Sequence, residues 1–369
     1  ILYRFKVSTQ VIRVLTGEIK EGGRQMKDEL DERKKRVLQA IVDDYIESAE
    51  PVGSRTLARK YDLGVSPATI RNEMADLEML GYLEQLHTSS GRIPSSKGYR
   101  FYVDGLIPPK PVSDEEKVLI DRWYKARVKR IDEVFQETAR IISQVTKNVS
   151  LVLAPQMTQA AFRCLQFLPL DDRRVITVLM TDAGFIENKI LEMPDGATFA
   201  DFQRMAKVIN KNLAGQTLRS IDHPAMAQIR DEIQDEPLYE SAVEIIHRAL
   251  DSGKRERLYL GGTTQMLEQP EFHDVEKVKE TLLVLEKEEL MKDVLHAHMG
   301  DGLEVTIGQE NEDSHFKDSS IITATYHLDG QLLGTIAVLG PTRMEYAKAM
   351  SLLEYMNSNL TEVIKRFHW

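Results

Sequence analysis

Apolar residues recur at helical spacing in the first part of the chain and stop at regular breaks. Between residues 31 and 50, steps of three and four predict a first helix with one buried face, which comprises Val37, Leu38, Ile41, Val42, Tyr45 and Ile46. The segment 50–54 ends this helix because it holds a proline and a glycine. A short second helix over 55–61 and a tight turn at Gly64 are predicted to follow.

A third helix is predicted to begin at Ser66 and Pro67, since an N-cap oxygen is followed by a proline at the first helical position. The spacing of apolar and small residues predicts one buried stripe, formed by Ile70, Met74, Leu77 and Gly81. The opposite face is small, polar and cationic: Ala68, Thr69, Arg71 and Asn72. A helix with this outer face suits the DNA major groove.

A β-hairpin is predicted after the third helix. It comprises a strand over 82–87, a polar tip over 88–92 and a return strand that begins at Ile93 and Pro94. Because it contains a proline, the return strand is expected to be an edge strand. A Ser/Gly/Arg turn alone is more often a solvated loop, but its position here favours a wing that contacts phosphate or the minor groove. The segment 54–103 therefore predicts a winged helix-turn-helix and a DNA-binding regulator.

A proline-rich boundary at 106–112 precedes a long predicted helix over roughly 113–148. Ser113 and Glu116 form a capping box at its start. Its apolar seam has near-heptad spacing, which fits packing within its own domain and packing against a second subunit equally well.

Beyond this helix, strand and helix patterns come in blocks. Strand-like runs fill 149–193, a mainly helical stretch covers about 198–255, and strands return over 303–340 around an Asp-Gly turn at 329–330. A capping box at 342–345 predicts the start of the last helix. Strands interrupted by a helical block predict an α+β domain with an insertion.

Charge is unevenly distributed along the 369-residue chain. The net charge of −10 argues against a protein that coats nucleic acid or anionic membrane over its whole surface. Residues 85–103, however, carry three cationic side chains and no acidic residue. The single cysteine excludes an intramolecular disulfide and fits a reducing, cytoplasmic location. No run approaches the ~20 apolar residues that span a bilayer, so no membrane partner is expected.

The candidate DNA contacts fall into two groups. Arginine pairs with guanine and asparagine with adenine, so base reading is assigned to Ala68, Thr69, Arg71 and Asn72. Phosphate or wing contacts are assigned to Arg55, Arg59, Lys60, Ser66, Thr88, Ser89, Ser90, Arg92, Lys97 and Arg100. For either Arg71 or Asn72 alone, a solvated helix face is an equally good interpretation. Acidic residues at 73, 76 and 78 are expected to repel phosphate, which limits DNA contact to the first two turns of the helix.

The second half of the chain lacks the common sequence motifs of nucleotide-binding and hydrolytic sites. It has no GxxxxGK[ST], GxGxxG, HExxH or GxSxG motif. The Gly-Gly-Thr-Thr run at 261–264 is better explained as a strand-to-helix turn than as a ligand loop. His296 and His298 with Asp301 are weak metal candidates, because isolated HxH pairs usually bind nothing. We therefore predict no catalytic, cofactor-binding or metal-binding residues, and no enzymatic activity.

Residues 1–25 are expected to be a non-native N-terminal extension. A signal peptide is less well supported, because the apolar run is short and no small-residue cleavage site follows. Glu21, Gly22 and Gly23 can be encoded by a run like a bacterial ribosome-binding site, just upstream of Met26. Translation is expected to start at Met26, and the gene sequence at codons 21–23 tests this.

The segment 50–104, from EPVGSRTLARKYDLG to SSKGYRFYVD, closely resembles the amino-terminal region of the HrcA family of bacterial heat-inducible transcription repressors. A second match lies at IGQEN (307–311) and at 322–349. The resemblance implies a homodimer that represses chaperonin and DnaK-type operons. It also implies that this dimer binds double-stranded DNA at an inverted repeat called CIRCE, and that its activity depends on the GroE chaperonin.

The predicted fold class is multidomain α+β, and the resemblance names two of the domains. They are a winged helix-turn-helix domain (26–106), a proline linker with the long helix (107–150), a GAF-like α/β domain (151–196 and 271–369) and an inserted dimerising α+β domain (197–270).

The leading hypothesis places two recognition helices of a dimer in successive major grooves, about 34 Å apart. Heat would relieve repression when unfolded protein occupies the chaperonin that keeps the repressor folded, since native states are only marginally stable. The alternative is a ligand-sensing winged-helix regulator whose GAF-like domain binds a small molecule, which rests on analogy between folds. An enzyme is the least supported of the three classes.

Overall fold

The computed structural model describes residues 30–365, apart from 88–89, 109, 128–129, 157–159, 183, 185, 222, 301 and 329. The first unit has the predicted three helices and hairpin in order, followed by a helix over Ser96–Gly105 that the sequence pattern did not predict. It consists of α1 (Glu32–Ser48), α2 (Ser54–Lys60), α3 (Pro67–Met79), β1 (Leu83–Glu84), β2 (Ile93–Pro94) and α4 (Ser96–Gly105). The predicted extension 1–25 lies outside the described residues.

Local signals set the ends of these helices. Ser66 is the N-cap of α3, and its Oγ accepts a hydrogen bond from the Thr69 amide at 3.2 Å. Gly64 has a φ of 68°, the left-handed conformation that the turn requires. The apolar stripe is buried as predicted at Ile70, Met74 and Leu77. Gly81 differs from the prediction: it lies beyond the end of α3, with a φ of 80°, and is exposed.

The long helix predicted over 113–148 is two helices, α5 (Asp114–Arg127) and α6 (Ile131–Thr146). The backbone is extended at Arg130, and the hydroxyl oxygens of Tyr124 and Thr138 lie 2.7 Å apart. Fourteen residues of straight helix would separate them by about 21 Å, so the chain has folded back on itself. The capping box that begins α5 is present: Ser113 N donates to Glu116 Oε2 at 2.9 Å, and Glu116 N to Ser113 Oγ at 3.2 Å.

The rest of the chain adds eight strands and six α-helices, besides short 3₁₀ turns, within the described ranges. They are β3 (Val149–Ala154), β4 (Phe162–Pro169), β5 (Arg174–Thr181), β6 (Ile186–Glu192), α7 (Phe199–Leu213), α8 (His223–Ile233), α9 (Glu236–Lys254), β7 (Arg257–Gly261), α10 (Val275–Leu285), α11 (Glu288–Ala297), β8 (Leu303–Ile307), β9 (Ser319–Leu328), β10 (Gln331–Pro341) and α12 (Tyr346–Lys365).

Five strands form one antiparallel sheet in the order β7-β3-β10-β9-β8. Both of its faces are buried. Alternate residues such as Ile322 and Ile336 pack with α6 and α12, and their neighbours Ile321 and Ala337 pack with α10 and α11. A sheet with two covered faces explains why every residue of β3 is buried.

A separate three-stranded antiparallel sheet, β4-β5-β6, packs with α7, α8 and α9 around its own apolar cluster. This differs from the predicted grouping, which joined 151–196 with 271–369 and made 197–270 the insertion. The periodicity of apolar residues identifies a strand but not the strand with which it pairs. In the structure β4 pairs with β5, whereas β7 pairs with β3. The separately packed unit therefore spans 162–254, and we call it the insertion below.

No helix in the described part of the chain is both long enough and apolar enough to cross a bilayer.

Candidate nucleic-acid interface

The outer face of α3 is available for a partner. Ala68, Arg71 and Asn72 are exposed, and Thr69 is half-buried beside Ser66, with their hydroxyl oxygens 3.0 Å apart. Within the part of the chain that the structure describes, the side chains of Arg71 and Asn72 have no hydrogen bond or ion pair. Their donors and acceptors are therefore free to contact base edges.

Two cations on α2 are similarly available. Arg55 and Arg59 are exposed and have no partner among the described residues. Lys60 differs, because its Nζ lies 2.7 Å from Asp44 Oδ1 and 2.5 Å from Glu47 Oε2 on α1. These hydrogen bonds raise the pKa of Lys60. Lys60 therefore ties α2 to α1, whereas Arg55 and Arg59 fit the predicted role of phosphate contacts.

The acidic residues of α3 are neutralised within the chain. Lys34 Nζ on α1 lies 2.9 Å from Glu73 Oε2 and 3.2 Å from Asp76 Oδ2, and Arg33 lies 3.5 Å from Glu73. The hydrogen bonds to Glu73 and Asp76 raise the pKa of Lys34. The repulsion of phosphate that the sequence predicted is thus reduced by cations on a neighbouring helix. Sequence reasoning missed Lys34 because no local signal connects it to α3.

The wing is held to α3 and to the segment before α2. Arg92 Nε donates to Glu78 Oε2 at 2.7 Å, and the backbones of Arg92 and Val52 exchange two hydrogen bonds of 2.9 Å. The return strand therefore has partners on both sides, not the single partner of the predicted edge strand. Ser90 Oγ accepts from the His87 amide at 3.0 Å and so shapes the wing. Thr88 and Ser89 lie outside the described residues.

Lys97 and Arg100 have partners within the protein. Lys97 Nζ donates to Leu80 O at 3.0 Å, at the carboxyl end of α3, and lies 4.3 Å from the centre of the Tyr82 ring. Arg100 Nε donates to Glu310 Oε1 at 2.8 Å, and this bond raises the pKa of Arg100. These contacts place Lys97 in the support of α3 and Arg100 in an interface with the sheet domain, so the predicted phosphate role of Arg100 is not supported.

Two family profiles match this chain over most of its length. One, described as a winged helix-turn-helix transcription repressor, HrcA DNA-binding, matches residues 29–103, and the HrcA protein C terminal domain matches 132–350. The chain belongs to the HrcA family. All of the candidate contacts with DNA lie within the HrcA DNA-binding match, whereas Glu310, the partner of Arg100, lies in the HrcA C terminal match.

Curated relatives named heat-inducible transcription repressor HrcA align along nearly their whole length. The one from Pelotomaculum thermopropionicum is 45% identical over 91% of this chain and 97% of its own. The one from Symbiobacterium thermophilum is 43% identical over 92% of this chain and 100% of its own. A crystal structure described as a hypothetical protein has the same fold, with a TM-score of 0.64 and 21% identity over 92% of this chain and 99% of that one.

The other candidates of the sequence have structural partners. His296 Nε2 lies 2.6 Å from Glu256 Oε2, and His298 Nδ1 lies 3.6 Å from Glu304 Oε1. No cluster of three metal-ligating side chains occurs among the described residues, and Asp301 lies outside them. Gly262 has a φ of 75°, and a Cβ there would lie 1.6 Å from Ser143 Oγ. Close packing explains that glycine.

Proposed function

We propose that this chain is a heat-inducible repressor that binds the CIRCE inverted repeat as a homodimer and silences chaperonin and DnaK-type operons. The observation that carries the proposal is the exposed pair Arg71 and Asn72, which have no partner among the described residues, on a helix that begins with a capped N-terminus. Arg55 and Arg59 supply phosphate contacts beside it. Membership of the HrcA family and the name of the curated relatives support the heat-inducible role.

A homodimer is supported by the outer face of the insertion sheet. Leu168, Ile176 and Ile190 lie opposite one another in register across β4, β5 and β6, so they share one face. Leu168 and Ile190 are about half exposed, at 49% and 52%. The opposite face of this sheet packs on α7. A continuous apolar row on an open sheet face marks an interaction surface, and we propose that a second copy covers it.

The exposed apolar row on the insertion sheet suggests a role for each of the two larger domains. We propose that the five-stranded sheet with its helices is the GAF-like domain, and that the insertion spanning 162–254 is the dimerising domain. Ile190→Lys is expected to convert the dimer to a monomer in sedimentation velocity. Lys189→Gln, one residue along β6 and on the other face, is the control that should remain dimeric. A variant I190K that stays dimeric would overturn this assignment.

Dependence on the GroE chaperonin has a physical basis. A loss of a few kcal/mol can empty a native state, so a repressor that needs help to fold loses active copies when heat diverts the chaperonin. The decisive experiment is a footprint of the full chain on an inverted repeat upstream of chaperone genes, before and after heating, with and without chaperonin. Protection of both half-sites that returns only with chaperonin is expected. Protection that is absent under every condition would contradict the repressor assignment.

A ligand-sensing regulator is the second proposal. A cavity of about 270 Å³ lies at one end of the five-stranded sheet, lined by residues that include Met266, Phe272, Lys277 and Val284. Its volume is below the roughly 300–1,000 Å³ that is typical of small-molecule sites. A metabolite that raises the melting temperature and changes DNA affinity would favour the sensor over the repressor.

A further inference from the structure

One guanidinium group joins the winged helix to the five-stranded sheet. Arg343 lies in the bend between β10 and α12, and its side chain is 10% exposed. Its Nη1 donates to Ile46 O at 2.6 Å. Its Nε and Nη2 donate to the two carboxylate oxygens of Glu271 at 2.7 and 3.1 Å, and Nη2 also donates to Gln269 Oε1 at 3.2 Å. The side chain therefore connects three segments that are distant in sequence.

The contact with Ile46 uses a specific property of α1. The last four carbonyl groups of a helix have no partner within it, and Ile46 lies in the last turn of α1. Arg343 satisfies one of these carbonyls and places a positive charge at the negative end of the helix dipole. The two-pronged bond to Glu271 fixes the plane of the guanidinium, which a lysine could not reproduce.

A second charged contact holds a different helix of the same domain. Arg100 on α4 donates to Val305 O within β8 at 2.5 Å and to Glu310 Oε1, just beyond β8, at 2.8 Å. The buried rings of Tyr99 and Tyr346 pack between the two domains, with their centres 5.9 Å apart. The winged helix is thus held through α1 and through α4, with apolar packing at the same interface.

We infer that Arg343 is a positioning residue that sets the separation and orientation of the two recognition helices, and so selects the spacer length of the inverted repeat. The inference rests on the proposed dimeric DNA binding. Without the charged contacts the winged helix would be held to the rest of the chain only by the apolar packing at this interface and by the proline-rich segment 106–113, which fix its orientation less strictly. Two tethered modules accept a range of site separations, whereas two rigidly held modules accept one.

The test uses the full-length protein and four duplexes of equal length. They carry the natural inverted repeat, the same half-sites with about 5 bp added, the same half-sites with about 10 bp added, and one half-site alone, because 10–10.5 bp is one helical turn. The wild type is expected to prefer the natural spacer strongly. Arg343→Gln is expected to bind the single half-site as wild type does, while its preference for the natural spacer falls about tenfold, within the 10²–10⁴-fold gain available from bivalency.

Three further variants complete the design. Arg100→Gln loosens the second contact and should relax spacer selectivity in the same direction. Arg343→Lys keeps the positive charge but cannot form the two-pronged bond to Glu271, so its spacer selectivity should lie between those of R343Q and wild type. Arg230→Gln breaks an exposed ion pair with Glu236 between α8 and α9 of the insertion, away from the outer face of its sheet, and should leave selectivity unchanged. Circular dichroism melting curves give the unfolding transition of each variant, and all DNA binding is measured below that temperature.

The outcomes separate the inference from the function on which it rests. Wild type that binds no duplex would overturn the proposed DNA binding. Wild type that discriminates between spacers, together with R343Q and R100Q variants that discriminate equally well, would overturn the positioning role alone. A loss of single half-site binding in folded R343Q would also overturn it, because the residue would then support α3 itself.

Discussion

Arg92 Nε lies 2.7 Å from Glu78 Oε2, and this ion pair joins the tip of the wing to the last turn of the recognition helix α3. Both side chains are partly buried, at 20% and 33% exposure. An acidic residue on a DNA-binding helix is thereby used to orient a cation of the wing. The position of the wing relative to α3 depends on this pair and on the backbone bonds between Arg92 and Val52.

We expect Glu78→Gln to weaken operator binding, although it removes a negative charge near the DNA. Partly exposed ion pairs contribute roughly 0.2–1 kcal/mol, so the loss should be about 1.4- to five-fold in Kd. Fluorescence anisotropy on a labelled operator measures it. Glu84→Gln, an exposed acid on β1, is the control and should strengthen binding or leave it unchanged. Tighter binding by E78Q would show that Glu78 acts only through its charge.

Arg71→Ala should reduce operator affinity by about 1–3 kcal/mol and relax the base preference at one position of each half-site. The reason is that Arg71 is exposed on the face of α3 that we assign to the groove, and forms no bond within the described chain. Competition with single-base operator variants measures the preference. Arg59→Ala should instead weaken all sequences equally and lower the salt slope by about 1. Unchanged selectivity in R71A would place another residue at the base edges.

Gly91→Ala should destabilise the winged helix. A Cβ at this position would lie 2.4 Å from Val52 O, in the backbone pairing that holds the wing. Forced overpacking of this kind costs about 1–3 kcal/mol, which urea unfolding can measure. Gly105→Ala is a matched control, since nothing lies within 4 Å of its added Cβ, and it should change stability by no more than about 1 kcal/mol. Equal stability of G91A and wild type would show that the wing moves to accommodate the added methyl group without any loss of folding free energy.

Asp43→Asn should stabilise the fold at neutral pH. Burial raises the pKa of Asp43, and Tyr102 OH donates to its Oδ1 at 2.7 Å. Because the folded pKa lies above the unfolded one, the contribution of Asp43 is largest below the unfolded pKa and is lost as the pH rises through the folded pKa. Asparagine keeps the acceptor without the charge, so its advantage should shrink toward pH 4. Melting curves of D43N, wild type and the exposed control D172N between pH 4 and 8 test the sign.

Local chemistry made much of the winged helix predictable. The N-cap at Ser66, the left-handed turn at Gly64 and the capping pair Ser113–Glu116 involve atoms within four residues of each other, so the sequence alone indicates them. The buried positions of α1 and α3 follow from helical periodicity in the same way. The break at Arg130 was not predictable, because the apolar seam continues through both helices and only their packing shows the fold-back.

Sequence by itself determined that this chain carries a winged helix-turn-helix with an outward cationic face, and it identified the family. Tertiary structure decided which cations lack a partner within the part of the chain that the structure describes. Arg71, Arg55 and Arg59 point outward, whereas Lys60, Arg92 and Arg100 are bound to acids elsewhere in the chain, Arg100 to Glu310 in another domain. It also decided that β4–β6 form their own sheet. The physical reason is that helix caps and periodicity act over a few residues, whereas ion pairs and strand pairing join residues that only the folded chain brings together.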